Sequence, residues 1–337
     1  MFTKINVSRR SASLARGCAF LLACFAFVQT SFAIDCGFEG SSIRLTTQAE
    51  VNDFHATHGA GGTCDRLLGG LNISGQDISD LTPLEPITEI QSVLILEGND
   101  VLTNLNGLSG LVAIGMSLDI VENSALETMD GLSSLADIGY SLRIRGNPAL
   151  LNLDGLSSLA SVGYTLLEPL CESIVIRDNP SLVNINGLSG ISRAECDISI
   201  ETNQALENLD GLSGLVSIGG DLAIYENTSL ADISGLSGVK EVGYSFVGIG
   251  IADSLISNVD ALSSVEKAGD LSLFNNTLLS DCSGVLTLVD TVDDYEPGPG
   301  SGPAPDLEWV TNFWDLDSIW DNAPGCNSVD EVLAVEP

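Results

Sequence analysis

The chain has 337 residues, with 12 Lys and Arg against 46 Asp and Glu and a formal net charge of −34. That excess of acid disfavours nucleic acid and anionic lipid as partners and is expected to keep the chain monomeric, although it would suit divalent cations. A hydrophobic content of 44%, rich in Leu, Ile and Val, excludes a disordered acidic tail.

Residues 1–33 read as an export signal. Lys4, Arg9, Arg10 and Arg16 precede the apolar run 18–28, and Ser31-Phe32-Ala33 forms a cleavage site. The run is too short for a transmembrane segment, which needs about 20 apolar residues. Removing the leader takes four basic residues and no acids, so the mature formal charge is 8 − 46 = −38. The protein is therefore expected to be exported, to the extracellular space, the cell surface or the periplasm. Six cysteines remain, and their distribution favours sequential pairing as Cys36–Cys64, Cys171–Cys196 and Cys282–Cys326. The absence of C-x-x-C spacing argues against zinc.

Residues 34–66 read as a disulfide-stapled N-terminal cap. Thr47-Gln48-Ala49-Glu50 is a capping-box sequence that predicts a short helix within 46–58, with Val51 and Phe54 on its apolar face. His55 and His58 fall here without a third ligand or nucleophile nearby, and read as exposed cap residues.

Residues 67–288 are a repeat array. The unit from Asn123, NSALETMDGLSSLADIGYSLRIRGN, recurs in frame from Asn99, Asn147, Asn179, Asn203 and Asn227, and more loosely from Asn72, Asp253 and Asn276. Most spacings are 24 residues, a period that marks a solenoid. Before each Asn, L-x-I alternates with period two, as in Leu118/Ile120 and Leu142/Ile144, which predicts a short strand with one buried face. No stretch has a ten-residue helical pattern. The expected fold is all-β: a right-handed parallel β-helix of about eight to nine coils of ~24 residues, with three parallel sheets and a cap at each end.

Stacked coils align like residues in columns. The ladder Asn99, Asn123, Asn147, Asn179, Asn203 and Asn227 is expected to bond its amides to neighbouring turns. That position makes the sequons at Asn72 and Asn227 poor glycosylation acceptors and leaves Asn275. A second column, Asn106, Asp130, Asp154, Asn186, Asp210, Ser234 and Asp260, reads as turn-capping residues. Asp130 and Asp154 would stack one coil apart and are the only candidates for Ca²⁺; no other cofactor is called for. Two coils are irregular, one with an insertion at 165–172 and one with FVGIGI at 246–251, and such loops are where binding tends to sit.

Residues 289–337 begin with an acidic Gly/Pro loop, EPGPGSGPAP at 296–305. The three tryptophans of the chain follow, at 309, 314 and 320, as a cap over the open end of the solenoid.

The unit N-x-x-L-x-x-L-x-G-L-S-x-L-x-x-I-G-x-x-L-x-I resembles the receptor L-domain family, in particular its exported bacterial members, whose flanks TTQAEVNDF and PGCNSVDEVLA also look similar. The resemblance implies a right-handed β-helix and ligand binding, but transfers no particular ligand. Extracellular leucine-rich repeats share L-x-I-x-x-N, so a horseshoe is the alternative fold. Two residues separate Asn123 from Leu126 rather than one, which favours the β-helix.

Two histidines, both in the cap, and no unpaired mature cysteine leave little room for Ser/His or Cys/His catalysis. The expected function is a non-enzymatic extracellular binding or adhesion module that recognises a glycan or protein ligand on its solenoid surface. A structural envelope protein is the alternative, and a β-helical polysaccharide lyase or glycosidase a weaker one. The candidate contacts lie at outward positions of the L-x-I strands: Arg143, Arg145 and Arg177 on neighbouring coils, with Tyr225 and Phe274 as an aromatic floor.

Overall fold

The computed structural model describes residues 35–59, 62–163, 172–243, 248–286, 288, 318–328, 331, 332 and 334. The expected leader therefore lies outside the described residues, as do Trp309 and Trp314.

The array is an all-β repeat solenoid built on two parallel sheets. Its eleven-stranded sheet takes one strand from each rung, from Ser42–Leu45 through Leu118–Val121, Leu142–Arg145, Glu172–Arg177, Asp197–Glu201, Leu222–Tyr225, Ile249–Ala252 and Leu271–Phe274 to Ser318–Trp320. The ten-stranded sheet uses two-residue strands, from Asp35–Cys36 to Lys267–Ala268. Every pairing is parallel and joins a rung to the next, so L-x-I falls in register: Leu118, Leu142, Ile174, Ile198, Leu222, Ile249 and Leu271 align across the long sheet. The two apolar residues of each motif are buried in one continuous core, at about 1.5–3 kcal/mol for each Leu or Ile fully buried.

Among the described residues the expected third sheet is not formed. In its place each coil makes a 3-10 turn, such as Asp130–Leu132, accompanied only by isolated bridges at Asn152–Asn184, Asn208–Asp232 and Asn258–Asp281. Seven of the nine turns among the described residues carry a Gly that permits a close approach to the preceding coil, while Thr82–Leu84 and Asp260–Ser264 carry Pro83 and Ala261 there. A Cβ at Gly131 would stand 1.8 Å from the Leu105 carbonyl oxygen of the preceding coil, and Gly107, Gly155, Gly187, Gly211, Gly235 and Gly284 meet the same obstacle. Backbones approach here more closely than a pleated sheet with side chains allows. The turns are capped, but not by the expected column. The N–H of Asp154 donates to Asn152 Oδ1 (3.0 Å), that of Asp130 to Thr128 Oγ1 (3.2 Å) and that of Ser234 to Asp232 Oδ1 (2.7 Å), two residues upstream.

The buried Asn ladder runs through the corner after each long strand. Asn147 is typical: its Oδ1 accepts from Asn123 N (3.1 Å) and Nδ2 (3.2 Å), and its Nδ2 donates to Ile120 O (3.0 Å). Two of the looser frame positions shift. The ladder residue before Asn99 is Gly75, whose N–H donates to Asn99 Oδ1, while Asn72 lies on strand Gly70–Ile73. Likewise Ser254, not Asp253, occupies the ladder and donates from N and Oγ to Asn276 Oδ1 (3.2 and 2.6 Å). Asn72 is thus not shielded by the ladder as its sequon reading supposed.

From Gly98 onward the residue ahead of each ladder position is left-handed: Gly98, Glu122, Gly146, Asp178, Thr202, Glu226, Asp253, Asn275 and Asp321, all with φ between 54° and 69°. This single corner conformation repeats in nine successive rungs and turns the chain out of the sheet.

At the N-terminus the capping box forms, with Glu50 N donating to Thr47 Oγ1 (3.2 Å), and the helix breaks at Asp53 into Gln48–Asn52 and Phe54–His58. The histidines are part-buried rather than exposed. His55 Nδ1 accepts from Cys64 N (3.0 Å) and its Nε2–H donates to Pro83 O (2.7 Å), so the ring ties the cap to the first 3-10 turn. His58 packs on Phe54, and burial lowers its pKa. The cap itself contributes the first strand of each sheet.

Cys36–Cys64 and Cys282–Cys326 are disulfide-bonded, with Cα atoms 5.8 and 5.6 Å apart. Cys196 is also disulfide-bonded; Cys171, its expected partner, lies outside the described residues. No helix among the described residues is long and apolar enough to cross a membrane.

Candidate ligand-binding face

The outward positions of the long sheet form two columns. At the last strand position the register runs Val121, Arg145, Arg177, Glu201, Tyr225, Ala252, Phe274 and Trp320. At the second it runs Asp119, Arg143, Val175, Ser199, Ala223, Gly250 and Ser272. Parallel pairing at about 4.8 Å per rung thus converts residues far apart in sequence into a straight track.

The arginines occupy the N-terminal half of this face. Arg177 Nη2 donates to Glu201 Oε1 (2.7 Å) and Ser199 Oγ (3.2 Å), and Ser199 Oγ–H donates to the same carboxylate oxygen (2.6 Å). Arg143 Nη1 lies 3.5 Å from Asp119 Oδ1, an ion pair without hydrogen-bond geometry. Burial raises the Asp119 pKa, against the pull of Arg143. Truncating Arg143 would therefore leave a half-buried carboxylate without this partner. Arg145 differs: it is exposed, and no ion pair or hydrogen bond of its side chain occurs among the described residues.

The aromatic residues occupy the other half. Tyr225 and Phe274 have ring centroids 6.0 Å apart although a whole coil separates them, because both lean over Ala252, which is fully buried beneath them. The Tyr225 hydroxyl reaches Gly250, where a Cβ would stand 1.8 Å away. Phe274 stacks on Trp320 at 5.1 Å and 7°, and Trp320 is 48% exposed. Sequence reading assigned Trp320 to a cap and missed its place in this track. The signal was present: Ile319-Trp320-Asp321-Asn322 repeats the pattern of Ile224-Tyr225-Glu226-Asn227, and Asn322 Oδ1 indeed accepts from Asn276 N (3.0 Å).

Carboxylates border the aromatic half on both sides. Asp197, Asp221 and Asp270 stand at the starts of the strands, and Glu226, Asp253 and Asp321 at the left-handed corners after them. Asp221 N donates to Asp197 Oδ1 (2.8 Å). Burial first, then the charges of Asp197 and Asp270, push the Asp221 carboxyl up to about 7. Burial, Glu201 and Asp221 also raise the Tyr225 phenol. No Lys or Arg occurs on the strands Leu222–Tyr225, Ile249–Ala252, Leu271–Phe274 and Ser318–Trp320.

Asp130 and Asp154 are exposed at the starts of successive 3-10 turns, and among the described residues no group of three or more His, Cys, Asp or Glu could hold a metal ion. A shallow cleft of about 400 Å³ opens beside Asp232, Ser234, Asn258 and Ala261. There Ala261 replaces the column Gly, and two steps rather than three join Ser254 to the next inward residue, Ile256. Set beside known proteins, the chain matches no family model and no characterised relative.

Proposed function

We propose that the protein is an exported, non-enzymatic binding module whose ligand surface is the outward face of the eleven-stranded sheet. The observation that carries this is the run of half-buried Tyr225 and Phe274 and exposed Trp320 on the outward side of the sheet. Aromatic side chains give large contact area at low entropic cost, and a core cap has no need to present them outward. Export is supported by the leader pattern and by the disulfide-bonded cysteines. The receptor L-domain resemblance agrees with a binding role, and we read the solenoid as a right-handed β-helix of that type. A second sheet in each coil, where a horseshoe would place helices, supports that choice.

The test is a screen of the mature chain on glycan and peptide arrays, with and without Ca²⁺. Binding is expected, and Phe274→Ala with Trp320→Ala is expected to remove it while the urea midpoint stays within a few tenths of a molar. A ligand bound equally well by the double variant would move the site off this face.

A further inference from the structure

The two halves of the face differ in charge. The N-terminal half holds four arginines, Arg44, Arg143, Arg145 and Arg177, and Arg143 and Arg177 are paired with carboxylates across the sheet. From Glu201 onward the face has an aromatic and small-residue floor, Ala223, Tyr225, Gly250, Ala252, Phe274 and Trp320, between two lines of acids. The strands of this sheet from Leu222 onward carry no Lys or Arg. Burial raises the proton affinities of Asp221, Asp270 and Tyr225 in the same place, and neighbouring carboxylates add to it at Asp221 and Tyr225.

We propose that this half of the face docks a cationic, extended segment of a partner protein, with Lys or Arg side chains over the three rings and their charges answered by Glu226, Asp253 and Asp321 on one side and Asp197, Asp221 and Asp270 on the other. The proposal rests on the reading of this face as the ligand surface. Three arguments select the class. An anionic polymer would meet like charge along both rims. A neutral glycan would use the rings and leave the rims without a role. A cation over an aromatic face is attracted by both features, at about 0.5–2 kcal/mol per contact before the rim charges are counted. The track from Glu201 to Trp320 spans four strand spacings, roughly 19 Å, the length of about six residues of extended chain. The chain's overall negative charge would also speed encounter with a basic partner and make binding sensitive to salt.

The experiment measures binding of the mature, disulfide-intact chain to three labelled probes by fluorescence anisotropy. These are a twelve-residue Lys/Arg/Gly peptide, its Glu/Gly counterpart and a neutral β-linked oligosaccharide. The expected result is binding of the basic peptide alone, weakening at least tenfold between 50 and 500 mM salt. The triple variant Glu226→Gln, Asp253→Asn, Asp321→Asn should weaken it at least tenfold, and so should Phe274→Ala with Trp320→Ala. The first set keeps every side chain close to its original size, so it reads binding even where truncating Phe274 disturbs the sheet. The control Asp130→Asn, Asp154→Asn, Asp210→Asn removes the same charge from the turn side, where Asn106 and Asn186 already occupy the column, and should lower affinity less than threefold. Equal losses in control and triple variant would overturn the docking site in favour of diffuse charge attraction. Oligosaccharide binding that needs Phe274 and Trp320, without peptide binding, would overturn the cationic assignment and leave the face as ligand surface. Failure of all three probes at 50 mM salt would overturn the inference, while the array screen decides the wider reading independently.

Discussion

The carboxyl of Asp221 faces two others along its own column, Asp197 one rung before it and Asp270 two rungs beyond, with Gly248 leaving a gap between. Its folded pKa of about 7 stands above the ordinary 3.8, so the folded protein holds this proton more tightly than the unfolded chain does. Linkage then fixes the sign: the stabilisation is complete below about pH 4 and is lost as the pH rises towards 7. Asp270 and Asp119, also raised, act in the same direction, whereas Glu50 and Asp281 are lowered and lose their contribution only in more acid solution. Asp221→Asn is accordingly expected to unfold at a higher urea concentration than the parent at pH 8, with the difference shrinking at pH 5. Parallel urea titrations at the two pH values check this, and a gap that widens on acidification would refute the assignment.

Each coil is two strands, a 3-10 turn and a left-handed corner, and the parts differ in how plainly their residues announce them. L-x-I could be read because alternation with period two needs only two apolar residues, and the Asn ladder because one residue type recurs at a fixed interval. The third side could not be read so easily. Apolar residues spaced by three suit a narrow strand or a 3-10 turn alike, and what decides between them is the distance from Gly131 to the carbonyl of Leu105, a contact between coils. The outward face of the long sheet was legible in part for a similar reason. The outward columns follow from the strand register, but the pairing of Arg177 with Glu201 and the stacking of Trp320 on Phe274 depend on side-chain directions that a spacing does not contain. The glycine column gives a test at this scale. Gly131→Ala should destabilise by about 2–3 kcal/mol, because the new methyl must push apart backbone rather than a flexible side chain. Ala261→Gly, at a coil that already accommodates a methyl there, should change stability by less than about 1 kcal/mol. Chemical denaturation of both variants measures the contrast.

Across the whole molecule, each rung touches the rungs before and after it, so stability is close to a sum over neighbours. Deleting 123–146 as a block would join Glu122 to Asn147, bring Gly155 against Leu105 and keep every column in register. The shortened chain is expected to fold cooperatively, with a denaturant slope reduced in proportion to the surface removed and a smaller loss of midpoint than Gly131→Ala alone. Circular dichroism through a urea titration decides it; loss of the parallel-sheet signal would show that the coils are not interchangeable.

The Asn ladder has a direction. Gly75 N–H is received by Asn99, Asn99 by Asn123, Asn123 by Asn147, Asn147 by Asn179 and Asn179 by Asn203, always from one coil to its successor. A coil therefore cannot satisfy its own corner until the next one has arrived. For a chain that emerges amino-terminus first, order would spread behind the newest segment with a lag of one turn, each addition sealing its predecessor. The process must then be stopped, and Asn322 does so by handing its own N–H to Asn327, five residues along, from within a segment tied to the preceding coil by Cys282–Cys326. Asn322 and Asn327 act as the closing stitch of a one-way seam.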